Sequence, residues 1–123
     1  MTEIRLTNTL TRQVEDLVPL VPGQVGVYLC GPTVYDLAHL GNARSAVNFD
    51  MLHRLLRHDF GVENVSFVRN ITDVDDKIIA RAIETGRPIG ERKAASTQDY
   101  LHDLDALNLL PATTIPHAKP STT

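Results

Sequence analysis

Residues 25–50 read VGVYLCGPTVYDLAHLGNARSAVNFD. Val25 to Leu29 is a short apolar run rich in β-branched and aromatic residues, which predicts a strand. Cys30-Gly31-Pro32-Thr33 breaks it, and Val34 to Leu40 connects it to a helical stretch. From about Asn42, the residues Ala43, Ala46, Val47, Met51, Leu52, Leu55 and Leu56 recur largely at spacings of three and four, and Gly61 closes a predicted helix. Val65 to Val68 is a second apolar run of strand length. A second helix is expected from Thr72, with Ile78, Ile79, Ala82 and Ile83 inward and Gly86 and Pro88 at its end. Thr72 and Asp75 have the spacing of a capping box. A third helix is expected over about 90–108, using Tyr100, Leu101, Leu104 and Leu107. Strand, helix, strand, helix is the order of an α/β parallel sheet with right-handed crossovers.

Outward from this unit, residues 1–20 carry short apolar alternations and X-Pro steps, which predict an extended arm with one or two short strands. Pro22-Gly23 is a turn signal. Residues 21–111 are expected to form the folded domain, and residues 112–123, rich in Pro, Thr and Ser, a disordered tail. The 123 residues are 42% apolar and 22% charged, the composition of an ordinary globular domain. A net charge of −3 gives no electrostatic footprint for nucleic acid. No secretory signal or apolar run of membrane-spanning length is visible, so a cytoplasmic protein without membrane contact is expected. The single Cys30 excludes an intrachain disulfide. Neither a GxGxxG nor a Walker-type loop is present.

The chemistry-bearing residues sit where strands end and helices start. In open α/β sheets ligands bind at the carboxyl ends of strands, beside helix N-termini whose free N–H groups and dipole favour phosphate. His39-Leu40-Gly41-Asn42 occupies such a start. Gly41 allows close backbone approach, and His39 and Asn42, three apart, can face one ligand. Asn42 equally suits a plain helix cap. Asp73, Asp75 and Asp76 complement a helix dipole, or would bind an ammonium group or magnesium. Cys30 is either a small apolar filler or a metal ligand. A structural zinc usually takes four ligands, whereas here there is no second Cys, and His53 and His58 are five apart on one helix.

The ordered blocks LTNTLTRQ, VYLCGPTVYDLAHLGNARSAVNFD, VRNITDVDDKIIARA and DLDALNLLP, from about Leu6 to about Pro111, resemble the N-terminal half of the catalytic domain of cysteinyl-tRNA synthetases, which are class I enzymes. The resemblance implies a partial Rossmann-like sheet, the first half of a class I nucleotide-binding domain. It implies that Cys30 matches the first ligand of a zinc that selects cysteine by its thiolate. It places Gly31, Thr33 and Thr72 beside the substrate cysteine, and His39, Gly41 and Asn42 in the HIGH signature that contacts ATP, with catalytic roles for His39 and Asn42. The related cysteine ligases of mycothiol synthesis carry similar blocks.

The chain departs from the family pattern in three respects, the mildest being Leu40 in place of the signature's Ile. Asn42 replaces the last His of the signature, keeping a hydrogen-bond donor but not a protonatable ring. The resemblance also implies that the remaining zinc ligands, the lysine loop and the tRNA-binding parts lie beyond residue 123. The expectation is therefore a truncated ligase, with an incomplete zinc site, that does not charge tRNA-Cys alone. Its alternatives are one polypeptide of a split cysteine ligase, completed by a second chain or by self-association, and a non-catalytic nucleotide- or amino-acid-binding module.

Overall fold

The computed structural model describes residues 3–34, 36–72 and 76–116. The chain opens with an antiparallel hairpin of β1 (Arg5–Asn8) and β2 (Gln13–Asp16). Its turn is made by the Asn8 side chain, which accepts from the Leu10 N–H, and by Arg12 in the left-handed region at φ 59°. Such short side-chain caps are what Asn supplies in turns. The expected arm thus takes the form of a hairpin, and Ile4 and Leu17 seat it on the core of Val25, Leu56 and Val65.

β3 (Val25–Leu29) leads through a loop to α1 (Leu40–Phe60), which returns the chain through a single 3-10 turn (Val62–Asn64) to β4 (Val65–Arg69). β3 and β4 pair in parallel, Val25 opposite Val65 and Leu29 opposite Arg69. The α/β parallel architecture read from the sequence is the one observed. α2 (Asp76–Thr85) and α3 (Ile89–Ala106) complete the order of elements.

β4 sends Val65, Phe67 and Arg69 to one buried face, the period of two that a strand requires. Phe67 and Leu56 are completely buried. Each such side chain contributes roughly 1.5–3 kcal/mol on leaving water.

The buried face of α1 differs from the expected one. It runs through Ala46, Asp50, His53 and Leu56, while Val47, Met51 and Leu55 are exposed. Two polar residues take the inward face, Asp50 held by hydrogen bonds and His53 by a ring contact. Asp50 accepts the Leu110 N–H at 2.8 Å and pairs with Arg54 at 2.7 Å, and Arg54 in turn donates to the Asn108 carbonyl at 2.6 Å. His53 stacks on Phe67 with ring centroids 4.4 Å apart. A buried carboxylate so hydrogen-bonded avoids the desolvation penalty that excludes polar residues from cores. In α2 Ile78 and Ala82 are buried, and Ile79 and Ile83 face outward. In α3 Tyr100 and Leu104 pack against Ala46, while Leu101 and Leu107 are exposed.

The expected disordered tail needs correction over residues 112–116. Thr113 and Thr114 lie parallel to β4, with Thr113 N–H donating to the Phe67 carbonyl at 2.7 Å and Arg69 N–H to Thr114 at 3.1 Å. The Thr113 hydroxyl accepts from Phe67 N–H, and Ile71 N–H donates to Pro116. Asp50 explains this order, because it pins Leu110 and so delivers the next residues to the β4 edge. Residues 117–123 lie outside the described part. Among the described residues, β4 is therefore central and β3 has one unpaired edge. No helix among them is long and apolar enough to cross a membrane.

The α1 core can be tested at both of its polar residues. Asp50→Ala strands the Leu110 N–H and the Arg54 guanidinium, and is expected to lower unfolding stability by about 2–3 kcal/mol in chemical denaturation. A loss below a few tenths would show that the clamp contributes nothing. His53 is held below its ordinary pKa of about 6.5, first by burial and then by Arg57, with Arg69 and Arg54 adding to the effect and Asp50 opposing it. The unfolded chain then binds the proton more readily, so this stability is complete above about pH 7 and falls as pH drops through 6.5. His53→Phe keeps a ring on Phe67 and removes the titration. Its melting temperature is expected to fall less than that of the unmodified protein between pH 7 and 5, and parallel curves would refute the assignment.

Candidate functional site

The polar loops after β3 and β4 meet at the carboxyl ends of the two strands and extend the parallel pairing beyond them. Asn70 N–H donates to the Leu29 carbonyl, Thr72 N–H to Pro32, and Val34 N–H to Thr72, all at 3.2–3.3 Å. Thr33 and Thr72 form a parallel bridge. Thr72 is thus extended backbone beside Thr33, and the described part of α2 runs from Asp76. The expected Thr72–Asp75 cap and the acidic positions Asp73 and Asp75 fall outside the described residues.

Gly31 is required by the way these loops touch. Its N–H donates to the Asn70 side-chain oxygen at 2.6 Å. A Cβ on residue 31 would fall 1.8 Å from the Asn70 carbonyl oxygen, inside any tolerable contact. Cys30, just before it, is exposed, with its thiol 3.5 Å from the Gly31 carbonyl.

The α1 N-terminus forms the second wall. His39 is the N-cap, a role usually taken by Ser, Thr, Asp or Asn. Its Nδ1 accepts the Gly41 N–H at 3.0 Å. The Asn42 side-chain oxygen accepts the His39 N–H at 3.0 Å, closing a capping box. An accepting Nδ1 leaves the ring proton on Nε2, so a neutral His39 keeps one donor for a ligand. The Asn42 amide nitrogen keeps two. A Cβ at Gly41 would meet the His39 ring at 2.8 Å, so the glycine makes room for the cap itself.

Between the walls lies a cleft of about 120 Å³, lined by Thr33, Asp36, Ala38, His39, Asn42 and Tyr100. Tyr100 from α3 closes its floor. Burial pushes the Tyr100 hydroxyl pKa up, with the charge of Arg69 acting the other way. Arg81 of α2 pairs with Asp36 at 3.4 Å and with Glu84 at 2.6 Å, fastening the loop after β3. Arg69 is buried with its guanidinium 5.5 Å over the Phe67 ring.

The structure therefore brings Thr33, His39 and Asn42 to one cleft, with Gly31 and Thr72 in the adjoining paired loops. Tyr100 in the cleft and Asn70 in the paired loops are candidates that the sequence does not mark as such. An Asn in a strand-end block and a Tyr in an amphipathic helix carry no pattern of their own. Among the described residues no three His, Cys, Asp or Glu side chains gather to hold a metal. Cys30 with these neighbours does not fit a closed zinc site, which needs about four ligands.

A parallel α/β unit with its polar loops gathered at the strand ends, beside a capped helix N-terminus, is the arrangement in which open α/β domains hold ligands. A family profile described as the tRNA synthetases class I (C) catalytic domain matches residues 16–122, and the chain belongs to that family. It is 60% identical over 118 residues to the cysteine–tRNA ligase of Jannaschia sp. (strain CCS1), covering 96% of this chain and 26% of the relative. Against the cysteine–tRNA ligase of Ruegeria pomeroyi the identity is 57%, covering 96% and 25%. Against that of Acidiphilium cryptum it is 54%, covering 96% and 26%. The chain thus spans about a quarter of the length of the relatives it matches.

Gly31→Ala tests the loop contact. The added methyl meets backbone and not a flexible side chain, so the loops must part. The expected cost is about 1–3 kcal/mol in thermal or chemical unfolding, with faster amide exchange at Asn70 and Thr72. Unchanged exchange at both positions would show that the two loops are not in contact.

Proposed function

We propose that this chain supplies the ATP- and cysteine-facing first part of a cysteine–tRNA ligase active site, and that alone it does not charge tRNA-Cys. The observation that carries this is the cleft in which the capped α1 start faces the paired loops. In this reading His39 Nε2–H and the Asn42 amide donate to the triphosphate, where negative charge develops as the cysteine carboxylate attacks the α-phosphorus and pyrophosphate leaves. Gly41 lets the phosphate approach the helix N-terminus. Gly31, Thr33 and Thr72 border the cysteine. Cys30 stands as one thiolate of a zinc site whose other ligands come from outside the described residues. Family membership and the identities to cysteine–tRNA ligases favour tRNA charging over mycothiol-type ligation.

A second reading is favoured by one observation. The outer edge of β3 has no strand partner among the described residues, and Val21 and Tyr28 beside it are exposed. An open apolar edge invites a further strand. A split ligase, in which a second polypeptide provides that strand and the rest of the site, would use this edge.

The test is cysteine-dependent ATP–pyrophosphate exchange on the purified 123-residue chain. No exchange above background is expected, while ATP raises the melting temperature, since a ligand at a hundredfold excess over Kd stabilises the native state by about 2.7 kcal/mol. Robust exchange would overturn the proposed inactivity. A melting temperature unmoved by both ATP and cysteine would overturn the binding role.

A further inference from the structure

We infer that Asn70 is a positioning residue for the Cys30 thiol. Three contacts converge on it. Its backbone N–H donates to Leu29, the residue before Cys30. Its side-chain oxygen takes the N–H of Gly31, the residue after Cys30, at 2.6 Å. Its carbonyl occupies the space where a Cβ on residue 31 would stand. Cys30 is therefore held on both sides by one residue of the loop that follows β4, although the thiol itself is exposed. An exposed side chain on a strand end is ordinarily free to swing with its backbone. Here the backbone on either side is fixed, so the thiol is presented from a fixed Cα. The grip is side-chain specific, because a ladder bond at Gly31 would come from a backbone carbonyl, whereas this one comes from Oδ1 of Asn70. The placement stands on geometry alone. Its consequence, that Asn70 sets how well cysteine is held, rests on the function proposed above.

Cys30 is the single cysteine, so a trifluoroacetonyl label reports on it alone by 19F NMR. The unmodified protein and Asn70→Asp, which keeps the acceptor oxygen, are expected to give one narrow line distinct from that of the unfolded chain. Asn70→Leu removes the acceptor. It is expected to move the line toward the unfolded position and to speed Gly31 amide exchange about tenfold, while far-ultraviolet circular dichroism stays native. An unshifted line with unchanged Gly31 exchange in Asn70→Leu would overturn the inference. So would an Asn70→Asp line displaced as far as that of Asn70→Leu. If Asn70→Leu does not fold, the unmodified protein decides, because a Gly31 amide exchanging as fast as a free loop amide also overturns it.

In the 123-residue chain, the Kd for cysteine read from the ligand-induced rise in melting temperature is expected to weaken about tenfold in Asn70→Leu, with the rise induced by ATP unchanged. An unmoved Kd for cysteine counts against the inference. A melting temperature of the unmodified chain moved by neither cysteine nor ATP would instead refute the proposed function, and the NMR and amide exchange would still decide the role of Asn70.

Discussion

Parallel pairing of β3 with β4 is the constraint on which the rest of the molecule depends. Parallel strands cannot be joined by a tight turn and need a long crossover, here α1. The crossover must lie on the sheet, so α1 presents a stripe that matches β4: Leu56 near Val65, and His53 against Phe67. Because both strands run the same way, both of their carboxyl ends open on the same side. The polar residues that come after them are delivered to one place. The cleft is therefore a consequence of strand direction before it is a consequence of any particular residue.

Asp50 extends the same logic to a third strand position. It is buried inside an otherwise apolar contact, yet its two oxygens are used by Arg54 and by Leu110 N–H. Its work is to turn the chain after α3. Asn108 takes the left-handed conformation at φ 58°, Leu109 N–H returns to Leu104, and Arg54 holds the Asn108 carbonyl. Thr113 and Thr114 then meet β4. A buried carboxylate would be costly without partners, and with them it specifies one path for the chain.

Local side-chain shape and long-range partnership divide what is legible in the sequence from what is not. β3 and β4 are legible because Val, Leu and Phe in short runs are strand residues for reasons of side-chain shape. The ends of α1 and α2 are legible, since Gly61 and Gly86 both sit at positive φ where helices stop, whereas the extended backbone at Thr72 is not. The inward face of α1 is not legible. Apolar spacing favours Val47, Met51 and Leu55, whereas the structure buries Asp50 and His53, whose partners lie far along the chain. Residues 112–116 are concealed for a related reason: Thr and Pro have little apolar content, and their order comes from bonds donated to and by β4. The site residues His39 and Asn42 are visible as a local string. Asn70 is not, because its role exists only once residue 31 lies beside it.

The α1 start combines structure with chemistry in the same two residues. His39 and Asn42 first satisfy each other's helix end, Nδ1 taking one orphan N–H and the Asn42 oxygen tying back the cap residue. Satisfying orphan N–H groups with side chains would by itself close the site to phosphate. Here each side chain also has a second, donating face. The cap consumes the acceptor of each and leaves the donors: Nε2–H on His39 and the NH2 group on Asn42. A helix N-terminus attracts an anion through its N–H groups, and here two of those groups are exchanged for two side-chain donors set farther out from the helix. The change from His to Asn at residue 42 is tolerable on the same ground. An amide carries one acceptor and a donor group in a single short plane, so it can hold the cap and face a ligand at once. What it gives up is a protonatable ring.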